Sequence, residues 1–191
     1  MKAKDMKATY SIPPSVPRGF DPFSDRPSRT VRNELAIKLE ACIARGEVFG
    51  DPPQDLVQQF PQPPYTAYLQ DRVERYRSAT REMLTTDAGP VAQAAILYRH
   101  GLYFESHEIL EPYWLATAGR KREGLKGLIQ AIGVDVHREA GHAAAAESLA
   151  RKAVARLRRF GDALGDQQAI NIDELLSRLT LMINASGQEE P

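Results

Sequence analysis

The sequence predicts an all-α protein, and three observations carry that prediction. Ten of the thirteen prolines lie before residue 65, which leaves Pro90, Pro112 and Pro191 for everything after it. Proline removes a backbone donor and keeps the residue before it out of the helical region, so regular helix belongs to the back of the chain. From Tyr65 onward apolar residues recur at spacings of three and four, whereas no segment alternates in the two-residue rhythm of a strand. The architecture that follows is a compact bundle of antiparallel helical hairpins, tetratricopeptide-like, behind a Pro-rich N-terminal arm.

Residues 1–29 read as the extended arm, in which Phe20 and Phe23 of "FDPF" can pin chain to body by burying their rings. A helical extension over residues 30–86 follows. Thr30 is placed to cap its first helix, Leu35, Leu39, Cys42 and Ile43 recur on one side, and Gly46 suits the end. Residues 47–64 form a Pro-rich connector around Leu56, Val57 and Phe60. "YTAYLQDRVERYRSATREML" then puts Tyr65, Leu69, Tyr76, Ala79 and Met83 on one stripe with charges opposite.

Residues 87–184 form the core domain and 185–191 a tail. Asp87 is placed to cap a helix with Pro90 in its first turn, ending at Gly101. Further helices run to about 117, from about 122 to 140, and from about 143 to 160, and Asn171 with Glu174 has capping-box spacing before the last. "RHGLYFESHEIL" and "EAGHAAAAESLA" place glycines forty residues apart, each between two helices, which makes two helix-Gly-helix units.

Composition removes several partner classes. Twenty-five basic residues against twenty-five acidic ones give zero net charge, so neither nucleic acid nor an anionic membrane is an expected partner. The basic run "RKAVARLRR" lies opposite Leu149, Ala153 and Phe160 and has no interleaved aromatics, the pattern of a solvated face. One cysteine, Cys42, excludes an internal disulfide framework and any multi-cysteine metal centre, and a reducing, cytoplasmic setting fits. No apolar run approaches the roughly eighteen residues of a membrane span. Ala-rich faces such as residues 143–146 serve equally for internal packing or for the seam of a homo-oligomer.

The chemistry is concentrated in "GLYFESHEILEPYW", residues 101–114. On a helical wheel Phe104, Glu111 and Leu115 share a narrow arc, flanked by Glu108 on one side and by His107 and Trp114 on the other. This makes Glu111 central to the apolar face and turns Glu105 toward solvent. A carboxylate buried alone costs several kcal/mol, so Glu111 needs a cation, a donor or a metal, and His107 one turn earlier is the nearest donor. Pro112 deprives the Glu108 carbonyl of its usual partner and is expected to kink the helix or end its first half. On the next helix Gln130 and His137 stand two turns apart with Gly133 near their line. A close approach at that glycine would bring Gln130 and His137 toward His107, Glu108 and Glu111.

The run "YFESHEILEPYW", then "GLIQ", a histidine seven residues after that glutamine, and Gly141 before an Ala-rich helix resemble domain-of-unknown-function family 309 over roughly residues 90–183. The resemblance implies a compact helical bundle with no agreed activity. It carries the family's motif onto Phe104, Glu105, His107, Glu108, Glu111 and Trp114, with Gln130 and His137 following, and so returns Glu105 to the site candidates. Three functions stay open: a binding or structural module with an inward polar cluster, small-molecule or protein ligand unassigned; a metal-dependent or acid-base enzyme, hydrolytic in type, using His107, Glu108, Glu111 and His137; and a helical-repeat module that binds a partner in its groove. The metal reading takes His107, Glu111 and His137 as ligands of a divalent ion.

Overall fold

The computed structural model describes residues 16–86, 89–165 and 170–186, and among these every regular element is helical. Eight α-helices follow in order: α1 (Arg26–Arg45), α2 (Gln54–Gln59), α3 (Tyr65–Leu84), α4 (Pro90–Arg99), α5 (Tyr103–Ala116), α6 (Gly119–Glu139), α7 (Ala143–Phe160) and α8 (Ile172–Ser186), with one 3-10 turn at Gly161–Leu164. None of the described helices is long and apolar enough to cross a membrane.

The first helix starts at Arg26, four residues before the position Thr30 would have capped. Asp25 is the cap instead: its Oδ2 accepts from the Ser28 N–H at 2.8 Å, and Pro27 occupies the first turn, where its missing donor costs nothing. Gly46 closes the helix with φ 64° as expected. The Pro-rich connector holds the short helix α2, whose Leu56 is fully buried. Asp87 lies outside the described residues; α4 begins with Pro90 directly after Gly89. Asn171 accepts from the Glu174 N–H at 3.0 Å, one half of the expected box. Pro112 does not end α5, which runs through it to Ala116.

The two glycines forty residues apart close their helices by the same device. Gly101 (φ 69°) and Gly141 (φ 79°) adopt the left-handed conformation that lets the next N–H turn back: Leu102 donates to the Leu97 carbonyl and His142 to the His137 carbonyl, both at 2.9 Å. Connections this short lay α5 beside α4 and α7 beside α6.

Two apolar clusters share a wall. The front one joins Phe20, α1, Leu56 and α3 to Ile96, Leu97 and Leu102; the back one joins Val91, Ala94 and Leu110 to α6, α7 and α8. Ile109 of α5 packs on both. Helix α5 is thus sandwiched, with apolar neighbours on two sides and a narrow edge left to solvent. On the far side of α6 the approach to α7 depends on absent side chains, because a Cβ at Gly124 would lie 2.7 Å from the Phe160 carbonyl oxygen and one at Gly133 would lie 2.8 Å from Leu149 Cδ2.

Those two distances differ in what can yield. A methyl of Leu149 can swing away, while the Phe160 carbonyl cannot move without its backbone. Gly124→Ala should therefore lose about 2 kcal/mol in urea unfolding, the range of core overpacking. Gly133→Ala should be near neutral, since the helix preference of alanine, about 1 kcal/mol, offsets its milder clash. Equal losses at the two positions would contradict this account.

Candidate functional site

On α5 the residues at positions 102, 105, 106, 109 and 110 face the interior, and two of them are polar. Glu105 is only 3% exposed; its Oε1 accepts from the Tyr76 hydroxyl of α3 at 2.5 Å. Ser106 is fully buried and donates to the Ala94 carbonyl of α4 at 2.8 Å. The expectation of a solvent-facing Glu105 is thereby reversed, and so is that of a central, buried Glu111. The Glu111 side chain is 45% exposed, and Leu115, assigned to the same buried arc, is 60% exposed. The wheel assumed one apolar face and chose the arc through Phe104 and Leu115. Leu102, Ile109 and Leu110 mark the true interior line at spacings of seven and eight, with Glu105 and Ser106 between them.

Beneath that line lies a network no motif announced. Arg72 of α3, 2% exposed, donates from Nη1 to the Gly101 carbonyl at 2.9 Å and from Nη2 to Glu139 Oε1 of α6 at 2.6 Å, and its guanidinium sits 5.0 Å from the Tyr68 ring centre. Burial pushes the Glu139 carboxyl above its ordinary range although Arg72 opposes the shift. Burial and then the charge of Glu105 push Tyr76 well up, so it stays a hydroxyl donor. A second network ties α4, α6 and α8: Asp135, 5% exposed, accepts from the Tyr98 hydroxyl at 2.6 Å and from both Arg178 Nη groups at 2.7 Å.

The solvent edge of α5 carries the remaining motif residues. His107 Nδ1 stands 3.2 Å from Glu108 Oε1, its Nε2 stands 3.8 Å from Glu111 Oε1, and ligand atoms of the three residues all lie within 4.8 Å of one another. His107 and Glu111 at i and i+4 fall on one edge because four residues make slightly more than one turn, and Glu108 adjoins His107 in sequence. Glu40 of α1 also faces this edge, its carboxyl pushed up by burial and then by Glu108.

His137 lies outside that group. Its ring stacks on Phe23 of the N-terminal segment, 4.7 Å between centres and 25° between planes, with the His142 ring 6.0 Å away. Gly133 explains the separation: its close approach is to α7, not α5. Gln130 is half-buried with its Oε1 unpartnered. Trp114, also half-buried, packs on the back cluster beneath Arg122 and Lys126, with its Nε1 unpartnered. His100 ends α4 and meets Glu82 Oε2 at 2.9 Å.

The helical pair α5–α6 with these motif residues falls within a stretch, residues 91–149, that matches the family model described as Domain of unknown function (DUF309). Residues 91–149 are a DUF309 domain. No curated protein and no solved structure matches the chain. The match stops before α8, and it begins after Arg72 and Tyr76, so the DUF309 segment of this chain buries carboxylates whose partners it does not contain.

Two outcomes test this arrangement. Tyr76→Phe leaves Glu105 buried without a donor and should lower the unfolding free energy by about 2 kcal/mol, while Glu111→Ala, at a half-exposed position, should stay within about 0.5 kcal/mol of the parent in the same urea titration. The pH response follows from His137, whose pKa is lowered by burial and then by His142. A depressed histidine pKa contributes stability that is present above the unfolded value, roughly 6.5, and is lost as pH falls through the folded one. His137→Gln should therefore flatten the decline in melting temperature on acidification through that window.

Proposed function

We propose that this chain is a cation-binding module whose site is the α5 edge formed by His107, Glu108 and Glu111. The single observation that carries the reading is the convergence of one imidazole and two carboxylates to within 4.8 Å on a half-exposed edge. One nitrogen and two oxygen donors suit zinc, manganese or ferrous iron better than calcium, which takes oxygen alone. Three protein donors also leave coordination positions open, so a small anionic ligand can complete the sphere.

The like charges of the edge favour a cation there, although Arg32 of α1 already draws on Glu108. Glu108 and Glu111 are like charges one turn apart, an arrangement that destabilises a bare helix by a few tenths of a kcal/mol. Glu40 adds a third carboxylate to the same edge. The buried acids, by contrast, are each held from another helix and are read as framework: Tyr76 donates to Glu105 Oε1, whose Oε2 is left without a partner, Arg178 and Tyr98 donate to Asp135, and Arg72 donates to Glu139. His137, expected as the third ligand beside His107 and Glu111, packs on the N-terminal segment instead, and Glu108 takes its place in the proposed set. A cytoplasmic setting accompanies this reading, supported by Cys42 being single and buried.

Titration calorimetry with zinc and manganese chloride, and metal content after dialysis, test the proposal. One ion per chain is expected, with affinity lowered at least about tenfold, or 1.4 kcal/mol, in each of His107→Ala, Glu108→Gln and Glu111→Ala. Because these side chains are partly exposed, the variants should keep the parent melting temperature without metal. Unchanged affinity in all three would overturn the assignment.

A further inference from the structure

The segment 16–25 is not helical, yet it is anchored side chain by side chain. The Phe20 ring stacks on Tyr68 at 3.8 Å with 11° between planes, and the Phe23 ring lies on His137 and edge-on to His142, both at 4.7 Å. Between them Asp21 Oδ2 stands 3.6 Å from His142 Nε2. Arg29 holds the backbone in place, donating to the Pro22 carbonyl at 2.9 Å and to the Phe23 carbonyl at 2.7 Å. Two rings three residues apart with an acid after the first are thus read by an aromatic shelf, a histidine pair and an arginine.

The fit is incomplete. Under the segment remains a cavity of about 20 Å³, walled on the body side by Tyr68, Arg72, Phe104 and Glu139. That is room for about one water. Arg72, almost wholly buried, lines it, and its Nε is without a partner. A buried, unpaired N–H of a guanidinium is costly, and a ligand that offers it an acceptor gains what the resident segment does not supply.

We infer that the trough beneath residues 16–25 is a recognition site for an extended aromatic–acidic peptide of F-D-x-F type from another protein, and that the chain's own "FDPF" occupies it in cis. The template for the partner is the resident itself: ring, acid and ring at the same spacing, plus an acceptor for Arg72. Displacement breaks no backbone ladder and Phe23 is only half-buried, but it must lift Phe20, 3% exposed in the front cluster, off Tyr68, so the incoming peptide has to supply a ring in its place. A tethered ligand acts at an effective concentration on the order of millimolar, so the cis segment suppresses trans binding until a better-fitting peptide arrives.

The probe is a fluorescent synthetic peptide of residues 16–25, followed by anisotropy. Full-length Phe20→Ala/Phe23→Ala, whose own segment can no longer compete, should bind it saturably, and the parent at least about tenfold more weakly. The same peptide with both phenylalanines replaced by alanine should not bind either chain. Should the double variant melt well below the parent, Phe23→Ala alone, which keeps Phe20 in place, should show the same order at smaller amplitude. Absence of binding to both helical variants, or equal binding by variant and parent, would overturn the inference. Concentration-dependent dimers of the parent that the double variant loses would overturn it in favour of exchange of the segment between two copies.

Discussion

Three carboxylates inside the bundle dictate how the chain is put together. Glu105, Asp135 and Glu139 sit on α5 and α6, almost closed to water, where an unpaired charge would cost several kcal/mol. Each is answered from another helix: Tyr76 and Arg72 of α3 reach Glu105 and Glu139, and Arg178 of α8 grips Asp135 with both of its Nη groups. All three helper residues lie outside residues 91–149. The front helices and α8 are therefore not appendages to a finished domain. They supply donors to its buried carboxylates, so the packing of α5 and α6 depends on α3 and α8.

This dependence also orders the molecule's two kinds of polar residue. A buried pair such as Arg72–Glu139 adds little over an apolar equivalent but is expensive to break, so it fixes register. The edge residues His107, Glu108 and Glu111 differ: their side chains reach solvent and leave like charges adjacent. Burial thus separates framework from solvent edge along one helix, residue by residue, with Glu105 and Glu108 a single turn apart on different sides of the division.

The all-α class, most of the helix succession apart from α2 and the start of α1, and the glycine-closed turns were legible because they rest on local chemistry: proline placement, three-four periodicity and the left-handed glycines at 101 and 141. The motif residues were legible too, but not their burial. A wheel assumes that a helix has one wet side and one dry side, and α5 has two dry sides because α1 and α3 cover what would otherwise be its outer surface. Glu105 was consequently turned outward and Glu111 inward. The long-range partners Arg72, Tyr76 and Arg178 carried no local signal at all, since an arginine that crosses the bundle looks in sequence like any arginine on a polar stripe.

The position of α1 bears on how the edge of α5 works. Arg32 lies 3.8 Å over the Phe104 ring, and its guanidinium is drawn by both Glu105 and Glu108, while Glu40 two turns later on α1 faces Glu108 with a like charge. One helix thus brings a cation to one end of the α5 edge and an anion to the other. The field along the edge runs from positive near Phe104 to negative near Glu108 and Glu111, and under the proposed function a divalent ion would take the negative end. Arg32, held over Phe104, would then favour an anionic co-ligand on such an ion, so the front helix would contribute selectivity to a site it does not itself ligate.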